Sequence, residues 1–236
     1  MEQLEMMYEG KAKKVYRTDD EDLLIVDYKD DATAFNGQKK GTIVGKGVVN
    51  NRMSNYLSQR RAENRPPPHL RTQRDARRTL AKKVEIVPLE VIIRNKAAGS
   101  FSKRYGVAEG TPLKCSTLEF SYKNDDLGDP LMNSYMALAL DLATKEEIDT
   151  ISEMAFKINE VLKEVFANIG IELIDFKLEF GRFHGQIILA DEISPDTCRY
   201  WDMKTHDHLD KDRFRRDLGD AEGAYQEVYR RLGLNK

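Results

Sequence analysis

The chain has 236 residues, 40% hydrophobic and 33% charged, with 38 basic against 40 acidic side chains and a formal net charge of −2. That balance supplies no global field for nucleic acid or anionic lipid, and no apolar run approaches the ~20 residues of a membrane span. Cys115 and Cys198 are too few and too far apart for a disulfide framework or a zinc knuckle.

The N-terminal stretch MEQLEMMYEGK carries acidic residues and lacks the apolar core of a secretory signal, so a soluble, cytoplasmic protein is expected. In chain order, MYEGKAKKVYRT (7–18) predicts a strand, a turn around Glu9, Gly10 and Lys11, and a second strand. Leu23 to Asp27 is mostly aliphatic and predicts a buried strand. Residues 30–47, DDATAFNGQKKGTIVGKG, hold four glycines and little periodicity, so a long loop is expected. Within it GTIVGKG falls one residue short of a P-loop and has Gly47 where a Ser or Thr should ligate the metal. VVNNRMSNYLSQRR (48–61) then reads as a helix.

Over 81–100, Val84, Ile86, Val87, Leu89, Val91, Ile92 and Ile93 predict an apolar strand pair. Pro88 interrupts it, which argues for an edge, a bulge or a crossing between lobes. Short strands and loops are expected to about residue 130. TKEEIDTISEMAFKINEVLKEVFANIG (144–170) is the clearest helix, with Thr144 and Glu147 spaced as a capping box. Its apolar residues recur at three and four, and Gly170 is placed to end it. LIDFKLEFG (173–181), the turn GRFHG and QIILADEI (186–193) predict an antiparallel hairpin. The segment DKDRFRRDLGD (210–220) leads to an amphipathic helix from about Asp220 to Leu232. Strands first, then strands mixed with helices, suggest an α+β fold of two lobes, a small β-rich one over 1–83 and a larger one over 84–236.

The first strand of that hairpin raises the question of chemistry. Phe176, Leu178 and Phe180 fall on one face, Asp175, Lys177 and Glu179 on the other. On a half-buried strand the charged row meets water as an ion-pair ladder worth little to stability. The same row also suits a ligand. Glu179 and Asp191, one from each strand, can grip a hard cation such as Mg²⁺ that leaves positions for phosphate oxygens, with Lys177 beside them. Asp175 lies ~13 Å along the strand from Glu179, too far to share that ion. The residues alone leave both readings open.

Lys11 and Lys13 alternate onto one face of a glycine turn, a weak polyphosphate signal, since lysines on an exposed hairpin are mostly solvated. Arg94 closes a buried apolar strand and needs an anion. That anion is either Glu90 or a phosphate monoester held with a helix start at Ala97, Ala98, Gly99 and Ser100. His69, His184, His206 and His208 show no metal spacing and are expected at the surface.

Four blocks carry a resemblance: GKAKKVY at 10–16, VPLEVIIRNKAAGS at 87–100, LIDFKLEFG at 173–181 and DEISPDTCRYWD at 191–202. With KDDATAFNGQKKG and DKDRFRRDLG, they make nearly the whole chain similar to the SAICAR synthetases, the phosphoribosylaminoimidazole-succinocarboxamide synthases of purine biosynthesis. The resemblance implies a small lobe similar to that of protein kinases, packed on a larger α+β lobe with ATP in the cleft between. It implies an ATP-dependent ligase that joins L-aspartate to the carboxylate of 5-amino-4-carboxyimidazole ribonucleotide and releases ADP and phosphate. By motif position, Lys11 and Lys13 face the ATP phosphates, the backbone near Lys82 to Val84 meets the adenine, and Glu179 and Asp191 hold Mg²⁺. Arg94, Ser100 and Arg199 take the ribonucleotide 5′-phosphate, and Lys177 lies near the reacting groups. A homodimer is implied as well, with small-molecule substrates and neither nucleic acid nor membrane.

A carboxylate is a poor electrophile, so ATP is expected to be spent on an acyl phosphate that the aspartate amine attacks, while the protein positions the parts. The aspartate is left to Asn36, Lys39 and Lys40, or to Lys211 and Arg215. One segment departs from the family pattern. Residues 60–79 hold seven arginines, and Leu70 is their only large apolar side chain, so high mobility is expected over 62–78. Two rival readings remain. A small-molecule kinase would form ADP without aspartate. An RNA-binding protein would use the arginine cluster, which has no aromatic residues for stacking in a chain of net charge −2.

Overall fold

The computed structural model describes residues 1–34, 37–59 and 70–235. The first sheet contains β1 (Gln3–Glu9), β2 (Lys13–Thr18) and β3 (Leu23–Tyr28). A hairpin of β4 (Asp31–Ala34) and β5 (Lys39–Thr42) follows, then helix α1 (Lys46–Gln59). β6 (Leu70–Gln73) and β7 (Arg78–Lys82) complete the sheet in the antiparallel order β1-β2-β3-β7-β6. The expected loop at 30–47 is therefore mostly hairpin and helix start. Its strand period is written in Ala32 and Ala34, both buried, rather than in large aliphatics. Of the polar segment at 62–78, residues 62–69 and His69 among them lie outside the described residues, and 70–78 form β6 and the turn into β7.

Lys83 and Val84 lead into the second sheet. Its strands are β8 (Glu85–Lys96), then, after helix α2 (Gly99–Tyr105), β9 (Pro112–Tyr122) and β10 (Leu131–Met132). Helices α3 (Ser134–Ala139) and α4 (Lys145–Ala167) precede β11 (Ile171–Phe183), β12 (Gln186–Ala190) and β13 (Cys198–Asp202). The chain continues through α5 (Asp212–Arg215) and α6 (Ala221–Arg231). The order is β10-β9-β8-β11-β12, with β13 pairing the first half of β11.

The apolar pair expected at 81–100 is one continuous strand, β8, in the middle of this sheet. Pro88 is accommodated by an irregularity opposite it, between Glu179 and Gly181 of β11. Nor is the stretch to residue 130 short-stranded, because β9 runs for 11 residues. The hairpin β11–β12 is antiparallel as expected. Helix α4 has its full capping box, Thr144 Oγ1 accepting from Glu147 N and Glu147 from Thr144 N. It packs Ile148, Ile151, Ala155, Ile158 and Leu162 into the main core with β8, β11, α6 and Met53 and Leu57 of α1. The fold is thus α+β, two antiparallel sheets and the small β4–β5 hairpin, with α1 packed on the first sheet and α4 on the second.

Candidate active site

β11 is the axis of the site because it is flanked on both sides: by β8 along Asp175–Arg182 on one, and on the other by β13 along Ile171–Phe176 and by β12 along Glu179–Phe183. Its charged row does not face water, since Asp175 is 3% and Glu179 6% exposed. The ion-pair ladder at the surface is overturned. Glu179 Oε1 accepts from Lys177 Nζ at 2.8 Å and from Lys123 Nζ at 3.0 Å. Lys177 Nζ also donates to Glu90 Oε1 at 3.0 Å and lies 3.8 Å from Asp191 Oδ2. Asp191 directly follows Ala190, the register partner of Glu179, and its φ of 68° turns the chain at that point. A left-handed backbone is uncommon for a side-chain-bearing residue and is held here by the surrounding structure.

From the first sheet, Lys13 Nζ crosses to Asp191 Oδ1 and to Glu192 Oε2. Burial works against the charge of Lys13 and Lys177, but the neighbouring carboxylates overcome it and raise both well above the usual lysine range. Burial likewise pushes Asp191 upward, yet Lys13 and Lys177 hold it well below the usual carboxylate range. Burial and the adjacent Asp191 push Glu192 up to about 7. Glu179 and Asp191 converge on one ammonium, Lys177, within 4.0 Å of each. Two carboxylates meeting at one positive point, Glu179 buried and Asp191 half-buried, with only oxygen to offer, form a donor set that fits a hard divalent cation.

The second group lies further along the same strand. Asp175 pairs in register with Arg94 of β8 and with Arg199 of β13, so the three stand in one row across three strands. Arg94 is 2% exposed. It donates to Asp175 Oδ2 at 2.7 Å, to Glu119 Oε1 at 2.9 Å and to Ser100 Oγ at 3.1 Å. Its carboxylate partners are Asp175 and Glu119, not Glu90, whose oxygen is taken by Lys177. Arg199 bonds Asp175 at 2.9 Å and Asp212 at 2.8 Å, and Asp212 also binds Arg215 at 2.7 Å. Burial pushes Asp212 upward, but Arg199 and Arg215 bring it down to about 2. Arg104 joins Glu119 at 3.1 Å, so four guanidiniums meet three carboxylates here. The start of α2 has no side-chain cap. Gly99, at φ 52°, leaves room for the Arg199 guanidinium where a Cβ would stand. Uncapped amides beside an excess of positive charge suit a phosphate.

Lys11 does not accompany Lys13. It donates to Asp125 Oδ1 at 2.8 Å, and both line a cavity of about 720 Å³ with Gly10, Lys29, Lys40 and Thr42. Lys82 Nζ lies 4.8 Å over the Phe183 ring, and Val84 packs on Gly181 at the junction of the two sheets. Lys39 binds Asp217 at 2.6 Å, Lys211 lies 3.7 Å from Asp196, and Asn36 lies outside the described residues.

His208, expected at the surface, is half-buried against Trp201. It lies near Asp210 and Asp212, but those carboxylates are committed to Tyr200 N and to Arg199 and Arg215. Glu90, Glu119, Lys123 and Glu192 complete the site without having been singled out by sequence for these roles. Their signal is pairing across strands, which no local pattern carries.

The family model described as SAICAR synthetase matches residues 6–232. The phosphoribosylaminoimidazole-succinocarboxamide synthase of Lachnoclostridium phytofermentans is 68% identical over 99% of this chain and 100% of its own. Among solved structures, the synthase of that name from Ehrlichia chaffeensis superposes with a TM-score of 0.95 at 44% identity, over 98% of this chain and 100% of the other. A SAICAR synthetase in complex with ADP superposes at 0.92 with 47% identity, over 98% and 99% of the two chains.

Proposed function

Because the chain belongs to the SAICAR synthetase family, we propose that the Glu179–Asp191 pair and the Arg94–Ser100–Arg199 group are the two ends of its active site. The enzyme is an ATP-dependent carboxylate–amine ligase of purine biosynthesis. It joins L-aspartate to 5-amino-4-carboxyimidazole ribonucleotide and yields the succinocarboxamide ribonucleotide, ADP and phosphate. The observation that carries the site assignment is the register of β11. It sets a cation-binding pair and an anion-binding group on one strand, ~13 Å apart, on the scale of a ribonucleotide.

Arg94, Ser100, Arg199 and the α2 amides hold the 5′-phosphate and so aim the imidazole carboxylate toward Lys177. A carboxylate oxygen attacks the γ-phosphoryl group, ADP leaves, and the aspartate amine then attacks the acyl carbon and expels phosphate. Lys13 faces the ATP phosphates from beside Asp191, Lys11 reaches them from the cavity it lines with Asp125, and the Lys82–Val84 backbone meets the adenine. Mg²⁺ held by Glu179 and Asp191 would neutralise phosphoryl oxygens during transfer. Lys177, released by those carboxylates when they take the cation, stabilises the negative charge that gathers on the acyl phosphate. The break between sheets at Lys83 and Val84 supports a nucleotide lobe over 1–83 and a substrate and metal lobe over 84–236. Likeness to the family supports a cytoplasmic homodimer.

The test is ADP release by the purified protein with Mg²⁺, ATP and the carboxyaminoimidazole ribonucleotide, with and without L-aspartate. Release that needs both, with the succinocarboxamide as product, is expected. Sustained ADP formation without aspartate would favour a kinase or hydrolase instead.

A further inference from the structure

Lys13 belongs to the first sheet, yet its ammonium sits on the loop after β12, between Asp191 Oδ1 and Glu192 Oε2, the latter at 2.6 Å. These adjacent carboxylates stand in different surroundings. Asp191 looks toward Lys177 and, through it, Glu179. Glu192, 4% exposed, looks toward Lys13 and the Tyr28 ring that flanks it. The Glu192 backbone is fixed by Thr197, whose Oγ1 donates to the Glu192 carbonyl at 3.1 Å.

A carboxylate that gives its oxygens to a divalent cation cannot keep an ammonium at hydrogen-bond distance without placing two positive charges together. Lys13 has a flexible four-carbon stem and no fixed direction of its own. We propose that Glu192 is a positioning residue: with Asp191 occupied by a cation, its carboxylate keeps the half-buried Lys13 ammonium beside the Tyr28 ring and aimed at the ATP phosphates. This rests on the reading above that Lys13 meets those phosphates.

Steady-state kinetics of Glu192→Gln, Glu192→Asp, Lys13→Ala and the Lys13→Ala/Glu192→Gln pair test it, with melting temperature recorded for each. Loss of a hydrogen bond to a charged group corresponds to about tenfold or more. Glu192→Gln is therefore expected to raise the KM for ATP by about that factor, leaving the KM of the ribonucleotide and of aspartate near wild type. Glu192→Asp keeps the charge on a shorter stem and should fall between. In the Lys13→Ala background, Glu192→Gln should add nothing further.

A rise shared by all three substrates, no rise in either Glu192 variant, or a double variant whose losses multiply would overturn the proposal. If Glu192→Gln does not fold, the Asp variant decides by the same three criteria. The underlying reading fails separately: Lys13→Ala would then leave the KM for ATP unchanged. If Lys13→Ala weakens ATP binding and the Glu192 variants do not, the assignment of Lys13 stands and that of Glu192 falls.

Discussion

Cys198 is 3% exposed, and burial pushes its thiol up to about 12, whereas Cys115 is exposed. A thiol reagent at pH 8 is therefore expected to modify one cysteine per native chain and two in denaturant. Two fast-reacting thiols in the native protein would contradict the packing of β13. Ser100 and Arg94 separate binding from stability in the proposed phosphate site. Ser100 Oγ meets Arg94 at 3.1 Å near the surface end of the group. Ser100→Ala, losing about 1 kcal/mol of hydrogen bonding, is expected to raise the ribonucleotide KM roughly fivefold with an unchanged melting temperature. Arg94→Ala takes from buried Asp175 and half-buried Glu119 one of their two arginine partners, leaving Arg199 and Arg104. It should lower stability by about 1–3 kcal/mol in addition to lowering activity. A fully stable Arg94→Ala protein in urea unfolding would show that these carboxylates do not depend on it.

Helix α4 was legible from its sequence because its cap, period and stop agree. Thr144→Ala should cost about 1 kcal/mol, read as a shift of the urea midpoint. The α6 helix carries a pH signature. Hydrogen bonds from Arg230 and Arg231 hold Glu227 down at about 2. A carboxyl whose folded pKa is depressed stabilises the protein above its unfolded value, near 4.3, and loses that contribution as pH falls through the folded value. The melting-temperature gap between wild type and Glu227→Gln is thus expected to be full at pH 6 and to close toward pH 2. A constant gap would contradict the pairing. Other elements were illegible for physical reasons. The β4–β5 hairpin buries alanines, which carry little periodic signal. Pro88 suggested a break that a bulge in the neighbouring strand absorbs instead.

Over the whole molecule, strand parity already placed Asp175, Lys177 and Glu179 on one face, and the family blocks named Arg94, Ser100, Arg199, Lys13 and Asp191. What could not be read was their environment. Whether a charged row meets water or a ligand depends on strands far away in sequence. β8 supplies Glu90, β9 supplies Glu119, the residue just after β9 is Lys123, and the first sheet supplies Lys13. Lys11 and Lys13, alike in the sequence, part company for the same reason, one to Asp125 and the other to the loop after β12.

The Glu179–Asp191 pair, one carboxylate buried and the other half-buried, is proposed as the cation-binding end of a ligase site. The most direct measurement is Mn²⁺ binding by electron paramagnetic resonance in the presence of ADP, for wild type and for Glu179→Gln and Asp191→Asn proteins of native circular dichroism. Wild type is expected to bind the ion with the nucleotide, and each variant to lose that affinity by tenfold or more along with ligase activity. Variants that bind Mn²⁺ as tightly as wild type would place the cation elsewhere and leave the pair as a buried structural network.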